Sequence, residues 1–345
     1  MRCLVFVLIV SFASSLVIAA EADKTLDIYW IDVEGGASTL LVTPMGESVL
    51  IDSGNPGHRD PERIVRVATH EAGLKKIDHL ITTHYHGDHY GGAALLATLL
   101  PVGKVYDNGS FDGMPNKPSR EYLSFECDSR QVINPGDSLP VKEQANGPQV
   151  TIRCIGTRQQ FVEPSSATPL NEAICASCAP RDRDGSDNAN SIVSVISFGD
   201  FRFFDGGDLT WNQEIKLVCP HDLIGPVDVY QVTHHGLDTS NNPVVLHTIN
   251  PSVAIMNNGD QKGCLPEVFA NLKGTPSIQR IFQVHKNLRP DGTVNNVEDK
   301  YIANHGSAAE CEGHFIHLKV ASDSLSYQIS IPANHVVETF STRQK

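Results

Sequence analysis

Beyond its first twenty residues the chain holds no apolar run long enough to cross a bilayer, which excludes a later membrane-spanning helix. Positive charge is scarce too: 27 Lys and Arg stand against 40 Asp and Glu, a formal net charge of −13 over 345 residues. Such a chain repels a polyanion at long range unless a local basic groove faces it, so promiscuous DNA binding is disfavoured. No short-period repeat and no clear linker divides the sequence, which argues against a solenoid or a string of modules. With 40% hydrophobic and 19% charged residues, what is there reads as a soluble globular protein.

The first twenty residues, MRCLVFVLIVSFASSLVIAA, combine a basic Arg2, an apolar stretch and small residues at Ala19 and Ala20. That layout predicts a secretory signal (1–20) cleaved before Glu21, and hence a secreted or periplasmic protein. Seven cysteines follow the signal: Cys127, Cys154, Cys175, Cys178, Cys219, Cys264 and Cys311. In an exported chain they are expected to serve as disulfide partners, although the odd number leaves one over and the pairing stays open. Cys175 and Cys178, in CASC, have the spacing of a redox or zinc pair, but they lie in a loop-like stretch that a disulfide could pin.

Short β-rich runs open the chain at LDIYWIDV, STLLVTP and SVLIDSG, and a helix-like segment, PERIVRVATHEAGL, comes next. Strand-like KIDHLITTH and helix-like GGAALLATLLP continue the alternation. Residues 110–147 and 157–189 are rich in Pro, Ser, Asn and Asp and read as long loops around one strand, QVTIRCIG. Regular alternation then returns, from NSIVSVISFG to the closing HFIHLKV and LSYQISI. Two halves, each β-rich and then β/α, predict an α/β sandwich of sheets flanked by helices, as one domain over 26–332 with a tail at 333–345.

The chemistry concentrates where a strand meets a helix, in THYHGDHYGG, which packs His84, His86, Asp88 and His89 into six positions. Imidazole and carboxylate suit a borderline cation such as Zn²⁺. His84 and His86 alternate and can point the same way, while Gly87 allows a turn that returns Asp88 and His89 to a neighbouring point. Two ligand pairs at that spacing fit two adjacent ions better than one. Asp208, at the end of FRFFDGGD, and His234 and His235, at the end of VYQVTHHG, supply further ligands from other strand ends. Neighbours on a strand face opposite ways, so His234 is left between a substrate or supporting contact and a packing role. His285, ending FQVHKN, is a further candidate of that kind.

This combination resembles the metallo-β-lactamase superfamily over nearly the whole chain after the signal, from about residue 26 to 332. His84, His86, Asp88 and His89 match its HxHxDH motif, Asp52 in IDSG an early strand-end aspartate, Asp208 the bridging aspartate and His235 a later histidine. The order of THYHGDHYGG, NSIVSVI, GGD, VTHHG and IMNNGD looks most like the hydrolase domain of ComEC-type competence proteins. The resemblance implies an αββα fold, metals at the edge between two sheets, and hydrolysis by a metal-held hydroxide. One or two zinc ions are the default it suggests, with manganese as the other candidate. Asp88 would ligate the metal and orient the water, and Asp52 would fix a histidine tautomer. One departure weakens the His84–His86 side: the superfamily often places a histidine ligand before the bridging aspartate, and none occurs from Tyr90 to Gly207. Asn190 or Asp187, in DGSDNANSIV, stands where it would be.

Three functions remain open on this reading. The first is a secreted metal-dependent hydrolase acting on a phosphodiester or nucleic-acid-related substrate. The second is a lactonase or β-lactamase-like hydrolase of a small cyclic ester or amide. The third is a non-catalytic metal-binding module.

Overall fold

The computed structural model describes residues 19–344; the stretch read as a signal therefore lies, up to residue 18, outside the described residues. Strand Leu26–Ile31 shows why the chain builds layers. All six of its residues are buried, which requires cover on both faces. Leu26, Ile28 and Trp30 point into one apolar cluster and Tyr29 and Ile31 into another, the period-two split of a strand.

The first cluster also holds Phe198, Phe203, Val229 and Ile255, so it is the filling between two sheets. The second adds Ile64, Val67 and Leu96, which belong to the helical segments 59–71 and 93–99 outside the first sheet. A third gathers Leu217, Val245, Leu246, Phe269 and Leu272 against Tyr230 and Ala254, where helices Pro243–Ile249 and Pro266–Gly274 cover the second sheet. Helix, sheet, sheet, helix is the order, as the α/β reading expected.

The first sheet has nine strands. Val336–Ser341, Ser326–Ile331, Phe315–Val320, Leu26–Ile31, Thr39–Val42 and Ser48–Ile51 run antiparallel, and Ile77–Ile81, Val102–Asp107 and Ser129–Val132 then add in parallel. The second has eight: Ile302–Asn304, Arg280–His285, Val253–Met256, Val229–Gln231 and Phe201–Asp205 are parallel, and Val193–Phe198, Val150–Thr157 and Gln160–Phe161 are antiparallel. Asp52 and His84 follow the ends of parallel strands in the first sheet, and Asp208, His234 and His235 follow those of the second. Carboxyl ends of parallel strands are where open α/β sheets receive ligands.

Some elements differ from expectation. The polar stretch 110–147 contains a short helix, Arg120–Ser124, whose N-cap Ser119 accepts from Tyr122 N, and the edge strand Ser129–Val132. Val336–Ser341, inside the stretch read as a tail, is the outermost strand of the nine. Its burial alternates weakly, as an edge strand's does.

Cys175 is joined to Cys219, 44 positions on in sequence, so the loop around Glu172–Cys175 is pinned to the turn after helix Trp211–Lys216. Cys178 is unbonded, so CASC is not itself a disulfide, and Cys127, Cys154, Cys264 and Cys311 are also free. The many disulfides expected of seven cysteines thus reduce to one among the described residues. Closing a loop of this length restricts the unfolded chain by about 4 kcal/mol in the chain-entropy model. Replacing Cys175 and Cys219 by alanine is therefore expected to lower unfolding stability by about 2–4 kcal/mol, read from urea denaturation; an unchanged midpoint would contradict it.

Candidate metal centre

The HxHxDH stretch leaves strand Ile77–Ile81 and turns at Gly87 into a single helical turn, Gly87–Tyr90. The chain passes close to its neighbours here. A Cβ at Gly36 would stand 2.4 Å from the Asp88 carbonyl oxygen, and one at Gly263 would stand 1.9 Å from that of His235. Glycine at both positions lets the backbone press against two candidate ligands.

Asp88, His89, Asp208 and His235 each offer one ligand atom, all within 4.8 Å of one another. Asp208 Oδ2 lies 3.1 Å from His89 Nε2 and 3.4 Å from His235 Nε2. Asp88 Oδ2 is 3.6 Å from the first of these nitrogens and 3.4 Å from the second. His84 Nε2 stands 3.9 Å from Asp208 Oδ2 and 3.0 Å from His86 Nδ1, so the second histidine pair adjoins the four on the Asp208 side. His84, His89, Asp208 and His235 are buried, whereas Asp88 and His86 reach partly toward solvent.

Asp52 sits behind His89. Its Oδ2 is 2.7 Å from His89 Nδ1 and accepts from Thr83 Oγ1 at 2.7 Å, while its Oδ1 accepts from Thr83 N at 2.8 Å. With its proton on Nδ1, His89 presents the lone pair of Nε2 to His235 Nε2, 3.3 Å away, and to two carboxylates. Acceptors facing one another in a buried space fit a divalent cation, and the donor set, imidazole and carboxylate, suits zinc and its neighbours.

The electrostatics of the bare side chains have the same sense. Burial opposes charge on His89, yet Asp208, Asp52 and Asp88 hold its imidazolium well above the usual range. Burial would raise Asp208, but His235, His89 and His234 hold its carboxyl well below the ordinary value. His84, in contrast, is pushed well down by burial and by His89.

His234 corrects the strand argument. Strand Val229–Gln231 ends before it, and His234 and His235 both have φ near 55° inside the turn Thr233–Gly236. In that left-handed geometry the two side chains are not thrown to opposite faces. Both Nε2 atoms lie 3.4 Å from Asp208 Oδ2. Burial pushes His234 down to about 4, and Asn188 Nδ2 lies 3.2 Å from its Nε2.

The positions weighed for the absent histidine do not join the four. Asp187 accepts from Tyr85 N at 2.7 Å and from Asn190 Nδ2 at 3.0 Å, and Asn190 Oδ1 accepts from Gln159 Nε2. The segment touches the centre instead through Asn188 and through Ser191, whose Oγ accepts from Asp208 N and lies 3.4 Å from His84 Nδ1. His285 is elsewhere, 3.4 Å from Glu34. Sequence reasoning gave no role to Thr83, Ser191 or Asp205; the last accepts from Gly207 N and so shapes the turn that delivers Asp208.

Residues 32–151 match the family model of the metallo-beta-lactamase superfamily. The match takes in Asp52 and the whole HxHxDH motif, and the mixed α/β sandwich around it is consistent with the fold that the sequence resemblance implied. A UPF0173 metal-dependent hydrolase of Cupriavidus metallidurans is 28% identical over 207 residues, 58% of this chain and 61% of that protein. The alignment thus spans less than two thirds of that relative. Among solved structures, CmlA, a diiron β-hydroxylase from Streptomyces venezuelae, is similar at 14% identity and a TM-score of 0.45, over 75% of this chain and 52% of that one. A candidate metal-dependent hydrolase from Parabacteroides distasonis is similar at 14% identity and a TM-score of 0.43, over 75% and 92%.

Proposed function

We propose that the protein is a metal-dependent hydrolase acting on a phosphodiester, its metal held by Asp88, His89, Asp208 and His235 with His84 and His86 beside them. The observation that carries the substrate class is Lys262. Its ammonium contacts Asp88 Oδ2 directly and is more than a third exposed, so a cation stands at the rim of the ligand cluster. An anionic ester entering there would meet that charge. The ComEC-type order of motifs supports the same substrate class.

Bound divalent ions would supply a Lewis acid and lower the pKa of a bound water to about 7. The chain's own part is positional. Asp52 fixes the His89 tautomer; Ser191 and the Gly206–Gly207 turn aim Asp208; Asp88, at the open side, can accept a hydrogen bond from the attacking water. Zinc is the proposed ion, with manganese as the other candidate, in one or two sites. Export is also proposed. The Cys175–Cys219 disulfide supports it, since such bonds persist in oxidising compartments, and no helix among the described residues is long and apolar enough to cross a membrane.

A cavity of about 750 Å³ beside Thr210 and Thr239 favours the second reading, a small cyclic ester or amide. It is lined by Trp211, with Arg181 and Arg183 offset by Asp182, Asp184 and Asp238, so it has no net positive charge to grip a polyanion.

Turnover of a chromogenic phosphodiester, a lactone and a β-lactam by wild type, Asp88→Ala and Lys262→Ala separates the readings. Phosphodiester hydrolysis is expected to stop on metal removal and in Asp88→Ala. In Lys262→Ala its kcat/KM is expected to fall about tenfold, the worth of one charged hydrogen bond. Metal-dependent turnover of only the lactone or β-lactam would select the second reading. Bound metal without any turnover would select a binding module.

A further inference from the structure

Apart from the centre already described, one other cluster among the described residues brings metal-ligating side chains together: Asp32, Glu34, His285 and Cys311, each with a ligand atom within 4.8 Å of the others. Its parts come from distant elements. Asp32 and Glu34 follow strand Leu26–Ile31 of the nine-stranded sheet, His285 ends Arg280–His285 of the eight-stranded one, and Cys311 lies in the connection before Phe315–Val320.

His285 marks the cluster as more than a patch of acids. Its side chain is fully buried, and Nδ1 lies 3.1 Å from the Lys286 carbonyl, which can only accept, so the proton of a neutral ring is on Nδ1. Nε2 then presents a lone pair. It has no hydrogen-bond partner and faces Glu34 Oε2 at 3.4 Å, an oxygen that likewise has none. Two buried acceptors aimed at each other leave a space that a cation would satisfy.

The remaining contacts are those of a prepared shell. Arg63 Nη1 donates to Asp32 Oδ2 at 2.9 Å and to Glu34 Oε1 at 3.1 Å, and its Nη2 donates to the Cys311 carbonyl at 2.8 Å. Cys311 Sγ is 2.9 Å from Asp32 Oδ2 and 3.2 Å from Asn304 Oδ1, and Gly313 N donates to it. Glu34 Oε2 and His285 Nε2 carry no hydrogen bond, and Asp32 Oδ2 and Cys311 Sγ, already in contact with each other, complete the four atoms around the space.

We propose that Asp32, Glu34, His285 and Cys311 form a second, structural metal site that takes zinc. The thiolate and imidazole select zinc over the harder manganese or magnesium, and four protein ligands close a tetrahedral sphere, as structural zinc requires. Charge balances as well: two carboxylates and a thiolate stand against the dication and the Arg63 guanidinium. An ion bound there would take Cys311 as its thiolate, releasing one proton to solvent. The ion would tie the two sheets together and anchor the 305–314 connection. This assignment is independent of the hydrolase reading, because it uses none of the same residues.

Cobalt substitution of the full chain tests it. The first centre contains no sulfur ligand, so a thiolate-to-cobalt charge-transfer band in the near ultraviolet reports the second alone. Wild type and Asp208→Asn are expected to show the band, and Cys311→Ser and His285→Gln to lose or sharply weaken it. Zinc content should also fall by about one ion per chain in Cys311→Ser. Wild-type protein without the band would overturn the proposal, and so would a folded Cys311→Ser that keeps the band or its full zinc content. Should neither variant fold, the wild-type spectrum still decides: its band supports the site and its absence removes it.

Discussion

Asp208→Asn is expected to strip most of the divalent metal from the first centre and to lower turnover by about a thousandfold. The expectation rests on one oxygen. Oδ2 of Asp208 lies within 3.9 Å of an imidazole nitrogen of each of His84, His89, His234 and His235. An amide keeps the shape and removes the charge, so two imidazoles lose the anion they share while the backbone contact from Asp208 N to Ser191 Oγ survives. Elemental analysis of the purified chain, with activity on the substrate that wild type turns over, reads both effects. Wild-type metal content in the variant would show that Asp208 is not a ligand.

The second large effect belongs to Asp52, which touches no ion site itself. Asp52→Asn is expected to weaken metal affinity by about 10–100-fold, the usual cost of losing a partner that orients a ligand. Asp52 has φ of 61°, a conformation that asparagine tolerates nearly as well as aspartate. The backbone should therefore stay in place. An asparagine that keeps its oxygen toward Thr83 N turns its NH₂ toward His89 Nδ1. The ring must then carry its proton on Nε2, the nitrogen needed for the metal. Competition of wild type and variant for a metal-sensitive dye measures the change, and circular dichroism checks the fold; equal affinities would remove the tautomer argument.

Much of this centre was legible because its signal is local. His84, His86, Asp88 and His89 lie within six positions, and the strand ends bearing Asp52 and Asp208 are marked by IDSG and FRFFDGGD. His234 was harder to place, because period-two reasoning assumes a strand and the chain had already left one for a left-handed turn. The surroundings of His285 were not legible at all: Asp32 and Cys311 are 279 positions apart, and no local pattern announces their meeting. Strand Ser129–Val132 was hidden for another reason. At the sheet edge it is only partly buried, so its sequence, SRQV, lacks the apolar alternation by which inner strands are read.

Ligands drawn from both sheets make the concentration of free ion a variable of folding. The unfolded chain cannot assemble Asp88, His89, Asp208 and His235, so each tenfold rise in free ion above the dissociation constant would add about 1.4 kcal/mol to the native state. The melting temperature of such a protein is a function of its medium: the same chain would melt late where the ion is plentiful and early where a competing chelator holds it.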